Sequence, residues 1–213
     1  MKRYLKLLLI VVLLTGSAVG TYIAVRNMSN PAETTEVSKE KAGFDPFTNI
    51  DEYKRIINER NLNIQYVFVV DYSIHSGKKR FYVLDILNNR LDRKMMVSHG
   101  ARSETKSGYA TDFSNIPESN KSSLGYAIVN GRAYSNWGIH VKYWLDGISP
   151  TNSNMRRRIM VMHSYVAVPS IETYPSPIIT SLGCVMLSDK DMRYIDELMK
   201  RQNNKRVLMH IRA

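Results

Sequence analysis

Residues 159–187 read IMVMHSYVAVPSIETYPSPIITSLGCVML, and the reading of the whole chain starts from them. Ile159, Met160, Val161 and Met162 are apolar, partly β-branched and closed by His163, the pattern of a short buried strand whose far end emerges at a cleft. Pro169, Pro175 and Pro177 exclude a helix from the next segment and predict a loop that reaches over the strand ends. That loop returns the chain to Cys184, the one cysteine, beside His163. Gly183, directly before it, lets the backbone turn sharply and aim N–H groups at a developing oxyanion. A free thiol with a pKa near 8.5 is mostly protonated at neutral pH. A nucleophile there needs a partner that lowers its pKa or takes its proton, and His163 is the candidate; the expectation is a thiol titrating well below 8.5.

Outward from this stretch, most segments read as strands. Residues 188–202 (SDKDMRYIDELMKRQ) are the clearest helix, with Ser188 as N-cap, Asp191 at N3 and one apolar stripe of Met192, Ile195, Leu198 and Met199. Residues 206–212 alternate as a final strand. Upstream, residues 65–72 and 80–87 flank a hairpin signal at Ser76-Gly77, and Asn88-Asn89 turns the chain into 91–98. Residues 99–123 are rich in turn chemistry and form a candidate binding loop. Residues 124–129 and 137–145 resume strand character around Asn130-Gly131, which predicts a turn. Arg156-Arg157-Arg158 reads first as a solvated face, and second as a site for substrate carboxylates or an anionic polymer. A short amphipathic helix is expected over 51–60. The fold class is mainly β, sandwich-like or barrel-like, with a few short helices, and residues 51–213 form one domain.

With 44% hydrophobic and 23% charged residues, the 213-residue chain suits one domain of about 150 residues and an extension. Thirty basic against nineteen acidic residues give a net charge of +11, which favours anionic surfaces such as membranes and cell-wall polymers. No zinc-finger spacing or RNP-like aromatic run points to nucleic acid, and export argues against it. Lys2, Arg3 and Lys6 precede an uncharged apolar run over 7–25, closed by Arg26, so residues 1–26 read as a signal peptide or membrane anchor. Small residues at 16–20 permit cleavage, whereas the run resumes through Tyr22, Ile23, Ala24 and Val25 and favours an uncleaved anchor. Residues 27–50 read as a flexible polar stalk. An exported chain with one cysteine has no internal disulfide, so its thiol calls for an explanation.

The histidine followed by Ser181-Leu182-Gly183-Cys184 resembles the catalytic segment of YkuD-type L,D-transpeptidases, in particular the murein L,D-transpeptidase branch. The likeness extends through YVFVVD (66–71), KRFYVLD (79–85), VSHG (97–100), ATDFSN (110–115) and SNKSSLG (119–125), and covers residues 64–213. The chain differs at Leu182, where most of these sequences have histidine, at Met186, where they have arginine, and at Ser164, where the branch has glycine. The resemblance implies attack by Cys184 on the carbonyl before the terminal D-residue of a peptidoglycan stem, giving a thioacyl-enzyme. An amine of a second stem, a protein lysine or water then resolves it. In this reading His163 is base and acid, the N–H groups of Gly183 and Cys184 bind the oxyanion, and Ser181 orients the imidazole. His99, Gly100 and Ser164 are expected on the substrate side, with neither cofactor nor metal. The implied location is the periplasm or cell envelope, tied to the inner membrane where the N-terminal helix is uncleaved.

Three rival readings stand beside this one. One cysteine and scattered histidines lack the short paired spacings of zinc sites. A sortase-like transpeptidase also places His before Cys in an exported β-rich enzyme, but with a Thr-rich lead-in where this chain has Ser-Leu-Gly. A non-enzymatic or degenerate wall-binding domain would account for Leu182, Met186 and Ser164 as marks of lost activity. His75, His140 and His210 read as structural.

Overall fold

Eight strands hydrogen-bond into one curled sheet in the computed structural model, which describes residues 45–213. The targeting segment 1–26 and most of the stalk, 27–44, lie outside the described residues. Among the described residues no helix is long and apolar enough to cross a membrane.

The chain enters through helix α1 (Ile50–Arg60), which buries Tyr53, Ile56 and Ile57, and then forms the meander β1 (Tyr66–Asp71), β2 (Phe81–Asp85) and β3 (Arg90–Met95). Residues 99–123 hold only a 3-10 turn (Ala101–Ser103) and a small ribbon of β4 (Glu104–Lys106) and β5 (Tyr109–Ala110). β6 (Gly125–Tyr134), β7 (Val141–Gly147), β8 (Val161–Ser164) and β9 (Val185–Leu187) come next, then helix α2 (Asp189–Arg201) and β10 (Val207–Arg212). Spatial order in the sheet is β3-β2-β1-β10-β6-β7-β8-β9. The last strand is thus inserted between β1 and β6, parallel to β1. β8 and β9 are also parallel, which puts the N-terminal entry of β9 beside the first residues of β8.

α2 forms as its sequence predicts. Ser188 Oγ accepts the Asp191 N–H at 3.1 Å, and the stripe Met192, Ile195, Leu198 and Met199 is buried in the core with Met162, Val185 and Leu187. Because side chains alternate along a strand, Val161 and His163, Cys184 and Met186 therefore face away from α2.

Two expectations fail locally. Asn130-Gly131 is not a turn: β6 runs on to Tyr134, with a register shift between Asn130 and Arg132 and Gly131 at φ +57°. A left-handed glycine serves a bulge as well as a turn, and the Asn130 side chain donates to Asp146 across the ladder at 3.1 Å. Nor does the histidine strand start at Ile159. That residue sits at φ +57°, exposed, and the strand begins at Val161 after a turn in which the Met160 N–H donates to Met155 O at 3.0 Å.

Asp196 ties α2 to the sheet by accepting from Arg132 Nε (2.6 Å), Tyr143 Oη (2.8 Å) and Lys200 Nζ (2.7 Å). Burial alone would raise this carboxyl, but these donors prevail and hold it at about 2, below its ordinary 3.8. With a depressed folded value, its contribution is complete above pH 3.8 and disappears as pH falls through about 2. Asp196→Asn is expected to cost about 2 kcal/mol in denaturant unfolding at neutral pH. The variant should also lack the wild-type's loss of stability over that acid window.

Candidate active site

Cys184 and His163 line one cavity of about 320 Å³, with Ala101, Trp137, Tyr165, Thr180, Ser181, Leu182 and Met186. The strand register explains why. β8 and β9 pair Met162 with Val185 and His163 with Met186, so Cys184 falls opposite Val161, on the face of His163 and one diagonal step from it. Long side chains span that diagonal. Most of the lining is apolar: Trp137 and Leu182 are exposed at its rim, and Tyr165 meets Trp137 edge to face at 5.7 Å.

The imidazole is set by backbone. His163 Nδ1 lies 3.0 Å from Ser164 O, an acceptor, so Nδ1 carries the proton and Nε2 is the basic atom. Ser164, expected on the substrate side, is fully buried, and its hydroxyl accepts the Ile139 N–H at 3.0 Å. It positions the imidazole and the 135–140 turn. Ser181, expected to orient the imidazole, has its hydroxyl elsewhere. That hydroxyl donates to Cys184 O at 2.8 Å and accepts the Gly183 N–H at 3.1 Å, closing the nucleophile's own loop. The Gly183 N–H is thereby engaged and is not free for an oxyanion. Glycine is needed there on two counts: φ is +116°, and a Cβ would stand 2.9 Å from Lys121 O.

His99 is buried behind the site. Arg80 Nη2 lies 2.7 Å from its Nδ1, and its Nε2 lies 3.0 Å from Glu104 Oε2, so Nδ1 accepts, Nε2–H donates and the ring is neutral. Burial, then the charges of Arg80 and His75, push it down to about 3. The imidazole expected to meet substrate therefore stops short of the cavity. Its backbone holds the nucleophile's loop instead: His99 O accepts the Ser181 N–H at 2.8 Å, and the Ala101 N–H donates to Ser181 O at 2.7 Å. Gly100 bridges Ser181 in parallel, and a Cβ on it would lie 2.5 Å from Asn120 O. On this side the cavity is lined by Ala101.

Arg158 is the residue that sequence reasoning missed. Of the three arginines, Arg156 and Arg157 are exposed, whereas Arg158 turns inward. Its Nη1 donates to Ser114 O at 2.6 Å and to Ser123 Oγ, and its Nη2 to Lys121 O at 2.6 Å and Ser119 Oγ at 3.0 Å. A Cβ on Gly183 would lie 3.5 Å from Nη2. The guanidinium thus staples the 114–123 loop against the nucleophile's loop.

Burial pushes the Cys184 thiol up, opposed by the Val161 backbone and the charges of Arg158 and Lys142. Burial also pushes His163 down, with Lys142 acting in the same direction and the Ser164 carbonyl against it. The expectation of a depressed thiol is therefore reversed. At neutral pH the resting pair is thiol and neutral imidazole, suited to proton transfer during attack. Among the described residues no group of three or more His, Cys, Asp or Glu is gathered as for a metal.

The family model for the L,D-transpeptidase catalytic domain matches residues 38–209. No curated protein matches the chain in sequence. Among solved structures, the chain is similar to the helical cell shape determining protein Pgp2 of Campylobacter jejuni, at 14% identity and a TM-score of 0.44 over 76% of this chain and 54% of that one. An L,D-transpeptidase of Xylanimonas cellulosilytica is 14% identical, covering 74% and 68% of the two chains with a TM-score of 0.36. Bd1075 of Bdellovibrio bacteriovorus is 13% identical, covering 62% and 43% with a TM-score of 0.33. The chain spans about half the length of the Pgp2 chain.

Arg158→Gln removes the staple and a positive charge near sulfur. Alkylation of Cys184 is expected to titrate at higher pH in the variant. Amide exchange over 114–123 should quicken roughly tenfold or more, as expected for losing hydrogen bonds made by a charged group.

Proposed function

The chain belongs to the L,D-transpeptidase catalytic domain family, and from that premise we propose that it is an exported enzyme of the bacterial envelope that acts on peptidoglycan stem peptides through a thioacyl intermediate on Cys184. The observation that carries this reading is the placing of Cys184 and His163 on one face of β8 and β9, in one cavity, with the imidazole fixed so that Nε2 is basic. The net charge of +11 suits an anionic wall polymer, and residues 1–26 would deliver or anchor the domain outside the cytoplasm.

In the proposed cycle His163 Nε2 takes the thiol proton as sulfur attacks the carbonyl before the terminal D-residue. The Cys184 N–H is the oxyanion donor nearest the reacting sulfur, since the Gly183 N–H is held by Ser181. The C–N bond then breaks, and the imidazolium returns its proton to the departing amine. An amine from a second stem, a protein lysine or water attacks the thioester, and the thiol leaves. Ser164, Ser181, His99 and Gly100 act by holding the pair and its loop in place.

Incubation of the protein with muropeptides bearing tetrapeptide stems should yield an intact-mass adduct on Cys184, with release of the terminal residue. Cys184→Ala should yield neither. Muropeptides that bind the wild type and are recovered unchanged, without adduct, would leave the wall-binding reading in its place.

A further inference from the structure

We propose that Lys142 forms a carboxylate-binding subsite beside the catalytic pair and recognises the free carboxylate of the departing residue. The proposal rests on the transpeptidase reading above and adds to it the residue that selects a chain-terminal donor.

β7 and β8 pair Lys142 with His163 and Trp144 with Val161. Tyr143 and Met162 point into the core with α2, so Lys142, Trp144, Val161 and His163 share the face that carries Cys184. The Lys142 ammonium stands 4.8 Å from the Trp144 ring centroid, leaning along the strand from the level of His163 towards that of Cys184. Its charge acts on both members of the pair.

The neighbouring cations are already engaged. Arg158 spends its guanidinium on four oxygens, and Arg156, at 4.7 Å from the centroid of the same Trp144 ring, is paired with Asp146 at 2.6 Å. No carboxylate pairs with Lys142 among the described residues. No lysine or arginine, Lys142 included, lines the cavity, so Lys142 would act from the neighbouring strand on an anion at the cavity's edge.

The chemistry of the leaving group says which anion that is. In a departing α-amino acid the nitrogen and the carboxylate are bonded to one Cα. His163 Nε2 must reach that nitrogen to protonate it, so the carboxylate lies within a few bonds of the imidazole. Two strand positions are in register with His163, Met186 on β9 and Lys142 on β7, and of these Lys142 carries the charge that can meet it. A charged pair formed over an indole, partly out of water, is stronger than one in bulk solvent. No bond to Lys142 forms or breaks; the ammonium binds and orients.

The test uses the full-length protein and two donors of one stem sequence, one ending in the free acid and one in the carboxamide. Acylation of Cys184 is followed by intact mass. The wild type should prefer the acid by about tenfold or more, the scale of a hydrogen bond to a charged group. In Lys142→Met this preference should collapse to within about twofold, and Lys142→Arg should retain most of it. Because both donors meet the same thiol, their ratio cancels any effect of the substitution on sulfur. A wild type indifferent to the carboxylate, or a Lys142→Met variant that keeps the preference, would overturn the assignment while leaving the enzyme reading intact. Failure of both donors to acylate a wild type that still reacts with iodoacetamide would instead remove the transpeptidase reading itself.

Discussion

A guanidinium out of reach of water, that of Arg80, holds the backbone on which the loop of Cys184 is hung. Burying such a charge is costly unless its N–H groups are met. They are met by Val97 O at 3.0 and 3.1 Å, Ile74 O at 2.8 Å and His99 Nδ1 at 2.7 Å, with the face of Tyr72 at 5.0 Å. These bonds pin residues 97–99, whose His99 carbonyl accepts the Ser181 N–H, and the chain continues to Ala101, whose N–H donates to the Ser181 carbonyl. Ser181 closes the loop that carries Gly183 and Cys184. Without Arg80 the Val97 and Ile74 carbonyls and His99 Nδ1 would lose their buried donor, and the segment behind the loop would rest on the bonds of Ser98 to Met186 O and Tyr72 Oη and of His99 to Glu104.

Arg158 supports the same loop through the 114–123 segment. Two arginines thus brace it with one chemistry, saturating carbonyls and hydroxyls so that irregular segments become rigid walls. The cavity is mostly apolar, and burial raises the thiol and lowers the imidazole. A site built this way keeps the Cys184 thiol neutral at rest. In the proposed cycle His163 takes the proton when a carbonyl arrives, and nearby positive charge stabilises the oxyanion that forms.

Much of this was legible in the sequence. Helix α2 was marked by the Ser188 cap and a four-residue apolar stripe, signals that depend only on local spacing. The adjacency of His163 and Cys184 was expected from a strand and a prolyl loop that returns the chain, whereas the short strand after Cys184 was not legible. The features that stayed hidden depended on partners distant in the chain. Arg158 sits in a run that looks solvated, and only the fold of 114–123 around it shows otherwise. His99 looks like a substrate contact until Arg80, a residue type seldom buried, is found against it. Gly131 serves a bulge with the same left-handed backbone that a turn would use, so no local signal separates the two. Ser164 acts through its carbonyl and through a buried hydroxyl that accepts the Ile139 N–H, partners that its place in the sequence does not announce.

The most direct test is the pH dependence of Cys184 acylation by a stem tetrapeptide, in the wild type and in His163→Ala. If the resting pair is neutral and His163 is the base, the wild-type rate rises as its imidazole loses its proton, below the ordinary 6.5, and is flat through neutrality. The substitution should lower that plateau by roughly 100-fold, the scale of a lost general base. A wild-type rate that instead climbs through a thiol titration near or above 8.5, and is the same without His163, would contradict the account.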